Sequence, residues 1–447
     1  MDEEKELNTI MECPSSYLLK DENGDKIEDG DAKVLLNEEN FSLYTKFKDA
    51  LLIPFRDIMS ISSEQYKIQI NLYSSEQLII FNLGYRFEDF LRVFLKLRNA
   101  LLLKDMLMDE TLRKSGTEAE YVHINKSTKI RENGQCQPKL YDSALIMISD
   151  SKEPLRIPYG DIIEIKAENN TLNILTEYDD QFIFSKMGRQ YSSFVKTFTE
   201  VMNEISLETQ TSLKKLLPKA SPLIIRKVSK FMKDGKAAKR TDLEAISSTI
   251  WSELEEKIKR TEIKDEYELF KSIAKKDKMC IGLKQGLMGD LTGEYIWFLI
   301  PIYSNDSTIP GNAIAMESIS SDGGGKATYF FRIISRNDYA KVKDLSYLHQ
   351  KTDDYLTQVN RCMLAINFRR EPIYLAEEKL EEPEYQKYKT AMINIPELKI
   401  LRESFIGRIV HSSFEQWKTD VIDLLTFNVT ATSDKDKWEK SRKKDSL

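Results

Sequence analysis

Ile53-Pro54-Phe55-Arg56-Asp57-Ile58 recurs 104 residues later in the chain as Ile157-Pro158-Tyr159-Gly160-Asp161-Ile162. The two copies align without a gap over 41–101 and 145–205. Further residues identical at this offset include the pairs Gly84 and Gly188, Phe90 and Phe194, and Phe94 and Phe198. A shared hydrophobic pattern alone would not keep proline, aspartate and glycine in register, so the chain carries one structural unit twice.

Each copy begins with a pattern that predicts antiparallel strands. In the first copy Ile68, Ile70 and Leu72 alternate with polar residues, as in a strand with one buried face. A turn at Ser74-Ser75 leads into 77–83, which is almost wholly apolar and predicts a strand buried on both faces. Both copies therefore begin as β structure.

After Gly84 the apolar period lengthens to that of a helix. The side chains on its predicted buried face are Phe87, Phe90, Leu91, Phe94, Leu97 and Leu101. Arg92, Lys96 and Arg98 fall off this face. The second copy repeats the pattern from Tyr191 onward. We therefore predict that one amphipathic helix closes each copy.

A unit of several antiparallel strands closed by one helix resembles the pleckstrin-homology and GRAM-like superfold. The run of apolar residue, proline, aromatic residue, any residue, aspartate and isoleucine is similar to the strand and turn before the central hairpin of that group. The tryptophan common in the closing helix of pleckstrin-homology domains is phenylalanine here. The resemblance covers residues 1–206 and implies two modules, 1–115 and 116–206, that bind phosphoinositide headgroups, peptides or partner proteins.

A headgroup site needs clustered cations near the first hairpin, because several phosphate charges must be met at close range. Lys46, Lys48 and Arg56 are candidates for such a cluster in the first copy. The second copy has Asp150, Lys152 and Gly160 at the equivalent positions, which makes a poor site. A solvated basic edge is the alternative interpretation of the first cluster.

Composition limits the class of protein. The chain has 447 residues, 41% of them hydrophobic, which is enough for about three domains with proper cores. With 66 basic and 72 acidic residues the formal charge is -6, which argues against a surface built wholly for nucleic acid. The longest apolar run, 295–303, is far too short to cross a bilayer, and the first residues are acidic and polar. We therefore expect a cytoplasmic protein.

Cysteine and histidine spacing argues against a metal site. The four cysteines and three histidines stand far apart in the sequence: Cys13, Cys136, Cys280, Cys362, His123, His349 and His411. We expect reduced thiols and predict no metal, no cofactor and no catalytic residue.

Residues 207–275 predict a basic helical bridge. Its first helix has Ser221 as N-cap, Pro222 in the first turn and Gly235 at the end. One face is apolar and the other carries the candidate anion contacts Arg226, Lys227, Lys230 and Lys233. Three alternatives stay open for this helix: it lies on an anionic membrane, contacts nucleic-acid phosphates, or packs its apolar face on a neighbouring domain.

A second helix of the bridge is predicted over 241–258, where Thr241 and Glu244 match a capping box. Its apolar residues recur at helical spacing. The bridge is therefore expected to contain at least two helices.

Residues 276–430 predict an α+β domain of no recognised family. Strands are expected at 295–303, 312–318 and 326–335, in one antiparallel sheet. Helices are expected at 384–392, 396–410 and 414–425, the last with a capping box of Ser412 and Glu415. The glycine-rich loop 320–328 fails the Walker A spacing and predicts a hairpin turn. Residues 431–447 predict a disordered tail.

The leading hypothesis is a non-enzymatic binding or scaffold protein that presents its tandem modules to a protein partner. A peripheral membrane adaptor, which would use the two basic clusters against anionic lipid, is the second hypothesis. A third is an enzyme in the C-terminal domain, where the candidate polar residues are Glu317, Lys326, Arg332, Arg369, Arg370 and Glu371. Nucleic acid is a less favoured partner, and the oligomeric state is open.

Overall fold

The computed structural model describes residues 9–46, 49–105, 111–125, 129–149, 154–287, 291–306, 309–320, 327–366, 368–380 and 395–431, with 382, 385, 388, 389, 391 and 392. The chain divides into two compact units, Met1–Thr197 and Phe198–Leu447. The architecture is α+β, as predicted: two curled antiparallel half-barrel sheets, a helix after each, and a third antiparallel sheet with helices.

The first module is one curled sheet followed by one helix. Its strands are β1 Met11–Lys20, β2 Lys26–Leu36, β3 Asn40–Thr45, β4 Leu51–Pro54, β5 Ile58–Glu64, β6 Lys67–Leu72 and β7 Gln77–Phe81. They are hydrogen-bonded in the order β4-β3-β2-β1-β7-β6-β5. A 3-10 turn at Phe55–Asp57 joins the two edge strands, and α1 spans Phe87–Asp105.

The second module repeats this order. Its strands are β8 Leu112–Lys114, β9 Ala119–Asn125, β10 Ile130–Tyr141, β11 Ala144–Ser149, β12 Leu155–Pro158, β13 Ile162–Glu168, β14 Thr171–Thr176 and β15 Asp180–Ser185, followed by α2 Tyr191–Leu216. The order is β12-β11-β10-β9-β15-β14-β13, with the added strand β8 beside β10. The structural repeat therefore begins before residue 41, where the sequence match starts.

Aromatic packing closes the first module. The ring of Phe94 lies edge-on to Phe41 and Phe55, with centroid distances of 5.2 and 5.5 Å. All three are buried in the core that α1 shares with the sheet. The helix predicted from the apolar spacing is thus confirmed, and its register is set by this contact.

Two details of the predicted burial are wrong. Strand β7 alternates between buried and half-buried residues, because only one of its faces packs on the core. Arg98 is 3% exposed although it falls off the predicted apolar face, and its Nη2 donates to the carbonyl of Ile58. A long arginine side chain can run along a core and still reach a backbone acceptor, which the apolar period cannot reveal.

Left-handed backbone recurs at matching positions of the two modules. Gly84 and Gly188 have φ of 57° and 55° at the start of the 3-10 turn before each helix. The β5–β6 hairpin turns through Gln65 and Tyr66 at φ 50° and 60°, and the β13–β14 hairpin turns through Asn169 and Asn170 at 51° and 57°. Asparagine tolerates this conformation better than glutamine, so the first copy carries the more strained turn.

Substitution Gln65→Asn is therefore expected to stabilise the first module by about 0.5 kcal/mol, since it relieves the left-handed strain without touching Tyr66. Hydrogen exchange of strands β5 and β6 would measure the change. The control Lys67→Asn, at a residue within β6, should not increase stability. Equal protection in wild type and Gln65→Asn would refute the expectation.

The second unit is built on a six-stranded antiparallel sheet between helices. The strands are β16 Ala237–Lys239, β17 Cys280–Leu287, β18 Leu291–Ile302, β19 Ala313–Ser320, β20 Ala327–Arg332 and β21 Phe405–Val410, hydrogen-bonded in that order. The helices are α3 Pro222–Phe231, α4 Arg240–Ile246, α5 Ser248–Ile258, α6 Lys264–Ile273, α7 Arg336–Tyr339, α8 Leu345–Ala365, α9 Glu371–Tyr374, α10 Glu377–Leu380, α11 Pro396–Ser404 and α12 Phe414–Thr430.

The predicted bridge packs as part of this unit. Helices α3 to α6 contribute to one hydrophobic core with β17 to β21 and α12, so their apolar faces are covered inside the unit. The helix expected over 241–258 is broken at Ser247, whose φ of -161° is extended. Glu244 accepts from Arg240 instead of completing a capping box with Thr241.

The C-terminal elements differ from prediction at several points. The three expected strands are confirmed as β18, β19 and β20, but the helix expected at 396–410 ends at Ser404 and continues as β21. Pairing with β20 outweighs local helix propensity there. The last helix is capped by Ser413 and not by Ser412, because the Ser413 hydroxyl accepts from the amide of Gln416. The 21-residue helix α8 was not expected at all.

Some predicted features lie outside the described residues. These are Lys48, Asp150, Lys152, most of the glycine-rich loop (321–326), the tail from 432 onward, and much of the helix expected at 384–392. Within that last range 388, 389, 391 and 392 are helical.

Candidate binding surfaces

The predicted anion site of the first module is not assembled in the way expected. Lys46 is exposed just beyond the end of β3, near the loop between β3 and β4. Arg56 lies past the other end of this hairpin, because Asn40 pairs with Pro54. Lys46 and Asn40 are six residues apart along an extended strand, or roughly 20 Å. Lys46 and Arg56 are therefore not neighbours.

Arg56 takes part in an internal ion pair. Its Nε donates to Oδ2 of Asp105 at 2.7 Å and its Nη2 to Oδ1 at 2.9 Å, while Glu39 lies 4.0 Å away. The Asp105 carboxylate is fully buried, and its hydrogen bonds raise the pKa of Arg56. The pair ties the 3-10 turn after β4 to the end of α1. Gly160 and Thr209 occupy the equivalent positions 104 residues on, so the second copy cannot form it.

We expect Asp105→Asn to destabilise the first module by about 3 kcal/mol, because it removes the bidentate negative partner of a largely buried guanidinium. Hydrogen exchange of α1 and β4 would measure the loss. Asp142→Asn is the matched control, since Asp142 pairs with Arg113 at 3.2 Å on the surface and should matter by less than about 1 kcal/mol. Equal effects of the two substitutions would contradict a structural role for the buried pair.

A surface with exposed aromatic rings lies at the start of α1. Tyr85 is 91% exposed and Tyr66 is 73% exposed. The ring of Tyr66 packs edge-on to Phe87 at 5.4 Å, which brings the β5–β6 turn beside the helix start. Arg86 donates to the Tyr85 hydroxyl at 3.4 Å and to the carbonyl of Glu12 at 3.2 Å. We call Tyr66, Tyr85 and Arg86 the tyrosine surface.

The second module lacks this surface. The equivalent positions hold Asn170, Arg189 and Gln190. Its hairpin is tied to the helix start by a hydrogen bond instead, from the hydroxyl of Tyr191 to the carbonyl of Thr171 at 3.2 Å. The fold therefore requires a link between hairpin and helix but not exposed tyrosines. The tyrosine surface was not predicted from the sequence, although the differences between the copies at these positions indicate it.

Helix α3 follows the predicted amphipathic pattern. The Ser221 hydroxyl accepts from the amide of Ile224 at 3.3 Å, which confirms the N-cap. Ile225 and Val228 are buried in the core of the second unit. Of the alternatives left open by the sequence, packing of the apolar face is thus confirmed. The helix ends at Phe231, four residues before Gly235.

The opposite face of α3 is exposed. Arg226, Lys227 and Lys230 point to solvent, and Lys233 is half-buried just beyond the helix end. Two apolar residues share that face: Leu223 is 72% exposed and Phe231 is 41% exposed. The helical spacing of Ile224, Val228 and Phe231 predicts that Phe231 lies on the buried side. Instead the exposed face combines cations with large apolar side chains.

Glu317, a candidate for catalysis, lies in a buried polar cluster. Its Oε2 accepts from Thr328 at 2.7 Å, and its Oε1 lies 2.6 Å from Nε2 of His411. Nδ1 of His411 is 3.7 Å from Glu266, and the ring stacks on Trp417. Glu317 and Thr328 are 1% and 0% exposed, so a substrate has no access to either. The cluster therefore supports packing of α6 and α12 on the sheet.

Burial alone would lower the pKa of His411, but its contacts with Glu317 and Glu266 outweigh that effect and raise it. A histidine with a raised folded-state pKa stabilises the fold fully below its ordinary pKa of about 6.5. This contribution is lost as the pH rises through the raised value.

We expect the stability difference between wild type and His411→Gln to be largest below about pH 6.5 and to shrink at alkaline pH. Denaturant unfolding followed by tryptophan fluorescence reports on the second unit, since Trp251, Trp297 and Trp417 all lie there. Glu317→Gln removes the negative charge beside His411, so the unfolding free energy of this variant should depend less on pH than that of wild type. A difference that stays constant with pH would disprove the pairing.

The other polar candidates make internal contacts. Arg332 donates to the side chain of Asn428 at 2.7 Å. Arg370 donates to Ser318 at 3.2 Å and lies over the Tyr329 ring, and Arg408 lies over the Tyr374 ring. Glu317 belongs to the core on one side of the sheet, while Tyr329 packs near Phe405 and Tyr374 on the other. Arg369, Arg370 and Glu371 thus lie together near Tyr374 and Tyr388, whereas Glu317 lies apart from them. Arg369 is 8% exposed, and Lys326 lies outside the described residues.

Within the described ranges, no three metal-binding side chains come together. In the same part of the chain, no helix combines the length and apolarity needed to cross a membrane. No protein-family model matches the sequence, and no curated protein is recognisably similar to it.

Proposed function

We propose that the protein is a non-enzymatic, cytoplasmic binding or scaffold protein whose first module presents the tyrosine surface to a protein partner. The observation that carries the proposal is the exposure of Tyr85 and Tyr66, the two most exposed large apolar side chains among the described residues. Tyrosine and arginine are the residues enriched at the energetic centres of protein interfaces. Similarity of the modules to the pleckstrin-homology group is part of this proposal.

The tyrosine surface is suited to recognition because part of it is already packed or hydrogen-bonded to the module. Tyr66 rests on Phe87, and Arg86 is held between the Tyr85 hydroxyl and the backbone of Glu12. Side chains already held in position lose less conformational freedom on binding. A tyrosine also combines a large apolar ring with a hydroxyl that can bond a partner.

Comparison of the copies supports binding over packing as the role of this surface. The second module keeps the hairpin and helix with Asn170 and Arg189 where the first has Tyr66 and Tyr85. Since the same strands and helix form without the tyrosines, the fold does not account for them. A partner that covers both rings does account for them.

Two further observations support the rest of the proposal. All four cysteines are free and buried, which agrees with a reducing compartment such as the cytoplasm. Glu317, Arg332 and Arg370 make contacts within the fold, which favours structural roles over catalysis.

The proposal is tested by quantitative affinity capture with wild type and the double variant Tyr66→Ala/Tyr85→Ala. We expect a partner that is retained by wild type and lost from the variant, with an affinity for the purified partner at least about tenfold weaker. Asn170→Ala/Arg189→Ala, at the equivalent positions of the second module, is the control and should bind as wild type does. A partner set unchanged by the tyrosine substitutions would rule out this surface.

A further inference from the structure

Helix α3 has two faces of opposite character. At 100° per residue, Arg226, Lys230, Leu223, Lys227 and Phe231 follow one another around an arc of about 140°. Ile225 and Val228 lie on the opposite side, buried in the core of the second unit. Packing of Ile225 and Val228 therefore fixes the direction in which the exposed arc faces.

The exposed arc is strongly cationic. Between Glu208 and Asp234 the chain has no acidic residue and seven basic ones. Asp234, the nearest acid after the helix, accepts from Nζ of Lys284 at 2.6 Å and from the amide of Gln285 at 2.7 Å. The negative charge of Asp234 is therefore paired with Lys284 of β17. The α3 arc consequently presents a positive field that suits an anionic partner.

The two apolar residues in this arc distinguish between anionic partners. Phosphates of a nucleic acid would be met by Arg226, Lys227 and Lys230 alone, and exposed Leu223 and Phe231 would gain little. At a lipid surface the cations meet the headgroups while leucine and phenylalanine enter the boundary with the acyl chains. The combination of charge and exposed apolar side chains therefore favours a membrane.

We propose that the exposed face of α3 docks on an anionic lipid surface, with Leu223 and Phe231 inserted and Arg226, Lys227 and Lys230 at the headgroups. Lys219, exposed just before the helix, adds to the same positive region. A single short helix with two inserted side chains gives reversible binding, which falls as salt screens the charges. This inference concerns the second unit and is independent of the tyrosine surface.

The test is cosedimentation of the full chain with phosphatidylcholine vesicles, with or without phosphatidylserine, at low and high salt. Wild type should pellet with the phosphatidylserine vesicles at low salt only. The charge variant Arg226→Gln/Lys227→Gln/Lys230→Gln and the apolar variant Leu223→Ser/Phe231→Ser should each lose at least about tenfold in vesicle affinity. Circular dichroism would verify that both variants fold.

A matched control removes the same charge elsewhere on the second unit. Lys341, Lys343 and Lys351 are exposed, and their replacement by glutamine should leave vesicle binding unchanged. Wild type that remains in the supernatant would overturn the proposal. So would an apolar variant that binds vesicles as wild type does, or single-stranded RNA that binds through the three cations while vesicles do not.

Discussion

Each module depends on the covering of one face of a curled antiparallel sheet by a single helix. In the first module the ring of Phe94 packs against Phe41 from β3 and Phe55 from the 3-10 turn, which holds the helix against the core of the sheet. A curled sheet without this cover would expose a whole row of apolar side chains to water. The residues that recur at the 104-residue offset are those that make the strands, the turns and this helix.

The differences between the copies are as informative as the identities. Arg56 and Asp105 form a buried, bidentate pair in the first module, where the second has Gly160 and Thr209. Tyr66 and Tyr85 project into solvent where the second has Asn170 and Arg189. One difference strengthens the module and the other leaves large apolar rings uncovered. Contacts within the module account for the first difference but not for the second.

The charged residues of the second unit differ in their surroundings. The carboxylate of Glu317 is fully buried and is matched by Thr328 and His411, so it acts within the fold. The cations of α3 are exposed beside Leu223 and Phe231 and face solvent. Composition counts all of these groups alike, although their surroundings decide which of them is available to another molecule.

Residue identities at the 104-residue offset determined the repeat. Local patterns determined the strand-to-helix order of each module, the three central strands of the C-terminal sheet and the capped start of α3. These features depend on residues close together in the chain, so the sequence alone was sufficient to predict them. Arg56 was a candidate anion contact, and only the tertiary structure brought it to Asp105, 49 residues away. Residues 405–410 continued a helical pattern until pairing with β20 made them a strand. In both cases a contact between residues distant in the chain decided the outcome. For 405–410, pairing and burial across the fold contribute more free energy than local helix propensity does.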